Sequence, residues 1–172
     1  NMNILYQLIK GFRLSVSIPA ASLVHIGYKL SGQNTDWFLV TILLIITGLV
    51  MLQNDYFDRD NDRKKGKNFA YENRNFLQIF LLISWSLVII AIFCLFTNQR
   101  VWLVFIIGIG IVYSFLRKKV LLPTITVALL SASPLFLASG FDSSLKINLF
   151  SLCVFISIFG REILKDIEDK DI

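Results

Sequence analysis

Histidine, cysteine and proline are scarce in this chain, and nothing in it reads as a linker. The single histidine, His25, and the two cysteines, Cys94 and Cys153, form no cluster with metal-ligand spacing, which argues against a zinc centre. Both cysteines lie inside apolar segments, so they are expected to be packing residues and not a disulfide pair. Only three prolines interrupt the 172 residues, and no Gly/Ser-rich tract, low-complexity stretch or composition break divides them. The chain therefore reads as one unit, residues 1–172. The segment before the first apolar run, Asn1 to Lys10, has no cleavable-signal pattern, so insertion is expected to depend on the apolar runs themselves. Charge is also thin: 17% of residues are charged against 55% hydrophobic, with 15 phenylalanines, well beyond the apolar share of a soluble domain.

That composition, with a mean hydropathy of +0.67, predicts an all-α membrane protein. Nearly uncharged runs recur from Leu14 to Tyr28, Trp37 to Asn54, Phe76 to Gln99, Val101 to Leu116, Val120 to Phe141 and Ile147 to Gly160. A bilayer core takes about 20 helical residues, so the shorter runs must borrow flanking residues whose charged ends snorkel, and a bundle of about six spans is expected. If the spans alternate, every Lys and Arg except Lys29, Arg100 and Lys146 falls on one side. The positive-inside rule then places the N-terminus on the cytoplasmic face, in the inner (plasma) membrane of the cell. No nucleic-acid partner is expected.

Against this background the acidic residues are unevenly spread. All except Asp36, Glu72 and Asp142 fall in two clusters, Asn54 to Asp62 and Glu162 to Asp171, each at the cytoplasmic end of an apolar run. Carboxylates crowded at a membrane boundary repel one another and are costly to desolvate, so two such groups imply a compensating cation. Asp55, Asp58 and Asp62 stand at i, i+3 and i+7, one face of a helix, and Asp166 and Asp169 repeat the i, i+3 step. The same half-pattern twice suggests a duplicated helical unit and not a solvated helix end. Mg²⁺ suits such a site because it prefers oxygen ligands, keeps waters and is shared between carboxylates and substrate phosphates.

At these residues the chain resembles the UbiA superfamily of intramembrane prenyltransferases, which carry N-D-x-x-D-x-x-x-D after the second span and a second Asp-rich motif after the sixth. The first motif is complete as Asn54, Asp55, Asp58 and Asp62. The second, Arg161 to Asp169, is most similar to the digeranylgeranylglyceryl phosphate synthase branch. Tyr113 to Lys119 also resembles the family's fourth-span end, while Arg13-Leu14-Ser15-Val16 departs from its N-terminal Arg-Pro-x-Asn and Pro123-Thr124 from its Gly-Asn. The resemblance implies Mg²⁺-dependent transfer of a polyprenyl group from a diphosphate donor to a lipophilic acceptor through an allylic cation. The acceptor would be a glycerol-phosphate ether or an aromatic quinone precursor. It implies metal ligation by Asp55, Asp58 and Asp62 and by Asp166 and Asp169, with Asp58, Asp62 and Asp166 central to catalysis and Asn54 as a ligand or its neighbour. Arg63, Lys67, Arg117, Lys118, Lys119 and Lys165 are candidates for the diphosphate or an acidic acceptor head, or else anchors to anionic lipid. Tyr113 is either a ring that stabilises the cation or an interfacial anchor. The family has about nine spans, and the next i+7 position falls one residue past Ile172, so the chain is expected to be the N-terminal portion of a longer enzyme.

Two other readings compete. A CDP-alcohol phosphatidyltransferase also gathers aspartates around metal, but its D-G-x-x-A-R pattern is missing. A non-catalytic channel or cation-binding module would line a continuous pore with acidic rings, whereas both clusters here lie at one boundary.

Overall fold

Apolar runs of this length bury their backbone polar groups most cheaply in their own hydrogen bonds, and the computed structural model is accordingly helical. It describes residues 4–64, 66, 69–95, 97–116, 122–139 and 144–168, with 61, 97, 98, 111–116, 122, 123, 139, 165, 166 and 168 described by backbone alone. The helices are α1 (Ile4–Phe12), α2 (Leu14–Leu30), α3 (Trp37–Phe57), α4 (Arg59–Lys64), α5 (Phe69–Glu72), α6 (Arg74–Phe93), α7 (Thr97–Leu116), α8 (Leu122–Ser139) and α9 (Leu145–Glu168). Among the described residues there is no strand.

The six long helices overlap the six expected runs in order. Three of them contain a stretch long and apolar enough to cross a bilayer: Trp37–Phe57, Arg74–Phe93 and Leu145–Leu164. Gln99–Gly110 and Thr124–Ala138 are shorter apolar segments.

α3 is the central element. Leu39, Ile42, Leu43, Ile46, Leu49 and Leu52 recur at helical spacing and are buried in one core with Val24 and Tyr28 of α2, Leu81, Val88 and Ile92 of α6 and Leu103 of α7. Its start is set by Asp36, whose carboxylate accepts from the Phe38 and Leu39 amides at 3.0 and 3.2 Å. The turn before it closes at Gly32, whose φ of 69° is the left-handed conformation that ends a helix cheaply only at glycine. On its other side α2 packs on α8, where Gly27 meets backbone: a Cβ there would stand 2.7 Å from the Leu135 carbonyl oxygen. α9 packs on α8 and, more lightly, on α2.

One boundary and one burial differ from those expected. Arg100, taken as the charge that separates two spans, lies inside α7; its Nε donates to the Leu95 carbonyl oxygen at 2.6 Å, satisfying a carbonyl just past the end of α6. Cys94 and Cys153 are free thiols at exposed positions, and so are not the packing residues that their apolar surroundings suggested. In a membrane helix an apolar neighbourhood in sequence does not distinguish a lipid-facing position from a packed one.

Candidate functional site at the acidic end of the third helix

The first acidic cluster begins on α3 and runs into α4 through a turn at Asp58. The helical ladder is kept across that turn, because the Asp58 amide donates to the Asn54 carbonyl at 2.9 Å and the Asp62 amide to the Asp58 carbonyl at 2.8 Å. Asn54 is buried, Asp55, Asp58 and Asp62 are half-buried, and Asp60, off their register, is exposed. The three carboxylates thus follow a single face whose other side is committed to the bundle.

Neighbouring elements fix this end of α3. Trp85 Nε1 of α6 donates to Gln53 Oε1 at 2.9 Å, and the Tyr56 hydroxyl donates to Gln78 Oε1 at 3.4 Å. Arg59 donates to the Tyr56 carbonyl oxygen at 2.9 Å and sits 4.8 Å above its ring. Arg63 stacks 4.1 Å over the ring of Tyr71 in α5, so this candidate anion binder is held by an aromatic face.

The N-terminal segment supplies the remaining contact. α1 lies across α3 because both helices present glycine. A Cβ on Gly11 would stand 2.6 Å from a Leu52 methyl and 3.5 Å from Asp55 Oδ2, and one on Gly48 would intrude on the Phe12 ring. Between α1 and α2 the chain turns at Arg13, with φ 47° and ψ 62°, a left-handed conformation that costs a residue with a side chain about 1–2 kcal/mol. Buried Ser17 answers the break, its hydroxyl donating to the Phe12 and Arg13 carbonyl oxygens at 3.0 and 3.4 Å. The turn delivers Arg13 Nη2 to Asp55 Oδ1 at 2.6 Å. α1 and this ion pair were not expected from sequence. The partners are 42 residues apart, and the only hint was a basic residue at a motif that departs from the pattern it resembles.

Of the other candidates, Lys67, Arg117, Lys118, Lys119 and Asp169 lie outside the described residues. Tyr113 lies on α7 and Lys165 and Asp166 on α9, with their side chains outside the description. His25 takes no part in this end of α3: its Nδ1 pairs with Thr35 Oγ1 at 2.8 Å and its ring stacks on Trp37 at 5.3 Å.

Among the described residues no three His, Cys, Asp or Glu side chains converge closely enough to cage a metal ion. The donor set, carboxylates with an amide and no sulfur or imidazole, fits a hard cation.

Searches of curated proteins and of solved structures returned no match. The family model described as the UbiA prenyltransferase family matches residues 16–171, from the start of α2 through both acidic clusters. With that match spanning nearly the whole chain, the protein belongs to the UbiA prenyltransferase family.

Proposed function

We propose that this protein transfers a polyprenyl group from a prenyl diphosphate to a lipophilic acceptor within the membrane, with Mg²⁺ bound by the two acidic clusters. The observation that carries the reading is the arrangement of Asn54, Asp55, Asp58 and Asp62 along a fixed helix end, in a chain that the family model matches from residue 16 to 171. Asp55, Asp58 and Asp62 serve one cation and Asp166 and Asp169 the other, with Asn54 beside the first. When bound, Mg²⁺ neutralises charge developing on the departing diphosphate. Basic side chains at the same face, among them Arg63, Lys67, Arg117, Lys118, Lys119 and Lys165, add to that stabilisation and orient the donor. The allylic C–O bond breaks with both electrons going to the diphosphate. The acceptor then supplies the electron pair of the new bond and loses a proton, and the Tyr113 ring steadies the allylic cation in between.

The bundle has six spans, with its N-terminus and both clusters on the cytoplasmic face of the plasma membrane. The distribution of lysine and arginine supports this orientation. A glycerol-phosphate ether is the favoured acceptor, on the similarity of Arg161 to Asp169 to the digeranylgeranylglyceryl phosphate synthase branch. The test is to incubate the protein in membranes with Mg²⁺, a series of polyprenyl diphosphates and a panel of ether, aromatic and haem-type acceptors, and to identify products by mass. A prenylated product that vanishes with EDTA and returns with Mg²⁺ is expected. Release of inorganic diphosphate with no prenylated acceptor, or turnover indifferent to EDTA, would overturn the proposal.

A further inference from the structure

We propose that Arg13 is a built-in countercharge for Asp55 that a divalent cation must displace, so that the elbow between α1 and α2 sets the cation affinity of the first acidic cluster. The inference rests on the reading of that cluster as a cation site and adds the element that regulates it.

The guanidinium does not reach Asp55 by the wandering of a long surface side chain. Its backbone is held in a left-handed turn, with the Arg13 carbonyl accepting the Val16 and Ser17 amides at 2.8 and 3.1 Å and the Phe12 carbonyl bound by the Ser17 hydroxyl. On the other side of the turn, Phe12 is seated on Gly48 and Gly11 on Leu52, so α1 is fixed against the same helix that carries Asp55. Both carboxylate oxygens meet this elbow: Oδ1 pairs with Arg13 Nη2 at 2.6 Å, and Oδ2 lies 3.5 Å from where a Gly11 Cβ would stand. A cation approaching Asp55 meets like charge at the position where the carboxylate would receive it.

The pair is built to yield. Arg13 is 46% exposed and Asp55 26%, so the guanidinium can return to water at little cost, and an ion pair of this exposure is worth less than direct coordination of a divalent cation. Arg13 therefore holds the carboxylate in place while the cation is absent and lowers affinity by the strength of the pair. On that basis its removal should tighten cation binding about two- to fivefold.

The experiment is Mn²⁺ binding followed by electron paramagnetic resonance, without donor or acceptor, on the purified protein in zwitterionic nanodiscs at low ionic strength. Arg13→Gln is expected to bind Mn²⁺ about two- to fivefold more tightly than wild type, and Arg13→Lys to remain near wild type. Arg13→Gly removes the same charge on a residue at ease with a φ of 47°, so equal tightening in a variant with unstrained folding is expected. In an Asp55→Asn background the gain from Arg13→Gln should vanish. Unchanged or weaker binding in both neutral variants, or a gain that persists without the Asp55 carboxylate, overturns the role of Arg13 alone. A wild-type protein that binds no Mn²⁺, with or without inorganic pyrophosphate, overturns the cation site and this inference together.

Discussion

α3 reaches its acidic end as the central helix of the bundle, whereas α9 reaches its own along the outside. In the apolar stretch of α3, 39% of residues are buried; in that of α9 the share is 11%, and its buried residues are Ile147 and Ser151, both distant from Asp166. In and beside Asn54 to Asp62 three neighbouring parts of the bundle contribute contacts: Arg13 from the α1–α2 elbow, Gln78 and Trp85 from α6 and Tyr71 from α5. Around Glu162 to Ile167 the described side chains are exposed or half-buried, and Arg161, Ile163, Leu164 and Ile167 all face outward. Two motifs with the same carboxylate spacing thus follow apolar stretches that are packed to very different degrees. Spacing specifies which ligands share a helix face; packing decides how firmly that face is held.

The largest test of this contrast concerns chemistry. If the clusters form one site despite their unequal support, Asp58→Ala and Asp166→Ala should each reduce prenyl transfer by about a hundredfold or more while thermal melting of the protein stays unchanged. Wild-type turnover in Asp166→Ala would leave the α9 cluster as a solvated helix end and confine the chemistry to α3.

The next test is one of packing. Leu49 is fully buried on α3, and Leu49→Ala should cost about 1–3 kcal/mol, read by reversible denaturation in mixed micelles; lipid removes most of the transfer gain but not the lost contacts. Leu152→Ala on the exposed side of α9 should change stability by less than about 0.5 kcal/mol. Equal losses at the two positions would show that α9 is as firmly packed as α3.

How much of this could be read from the residues follows the same division. The long helices were legible because a span announces itself by length and apolarity, which are local. The acidic positions were legible because helical spacing is local too. α1 was not, since nine residues with Lys10 near their end are short of a span, and their fixing depends on Gly11 receiving Leu52 and Gly48 receiving Phe12 where the helices cross. Nor was the Arg13–Asp55 pair, whose partners are distant in sequence. Arg100 misled because a charge was taken as a boundary, when its guanidinium reaches back to the Leu95 carbonyl and α7 starts ahead of the expected Val101, at Thr97.

The glycines sharpen the comparison further. Gly48→Ala must push Phe12 off α3, and a loss of about 1–2 kcal/mol is expected together with weakened docking of α1. Limited proteolysis near Lys10 and Arg13 should speed up in step. Gly160 on α9 has nothing within 4 Å of a built Cβ, so Gly160→Ala should be neutral or stabilise by up to about 1 kcal/mol through helix propensity. Destabilisation at Gly160 would mean that this face of α9 is covered.

The smallest effects separate a hydrogen bond that is made from one that is not. Trp85→Phe keeps most of the ring but removes the Nε1 donor to Gln53 Oε1, next to buried Asn54. Interhelical hydrogen bonds in membranes average about 0.6 kcal/mol, so a loss of roughly that size is expected. Because Gln53 precedes the motif, the proposed Mg²⁺ requirement of turnover should also broaden as the helix end loosens. On α9 the Ser151 hydroxyl is buried without a hydrogen-bond partner among the described residues, so Ser151→Ala gives up nothing and removes a desolvation cost. It should leave stability unchanged or raise it slightly, with no effect on the Mg²⁺ requirement. If Ser151→Ala proved the more damaging of the two, Ser151 would have a polar partner, and the contrast between a deeply packed helix and a mostly exposed one would fail at the residue chosen to expose it.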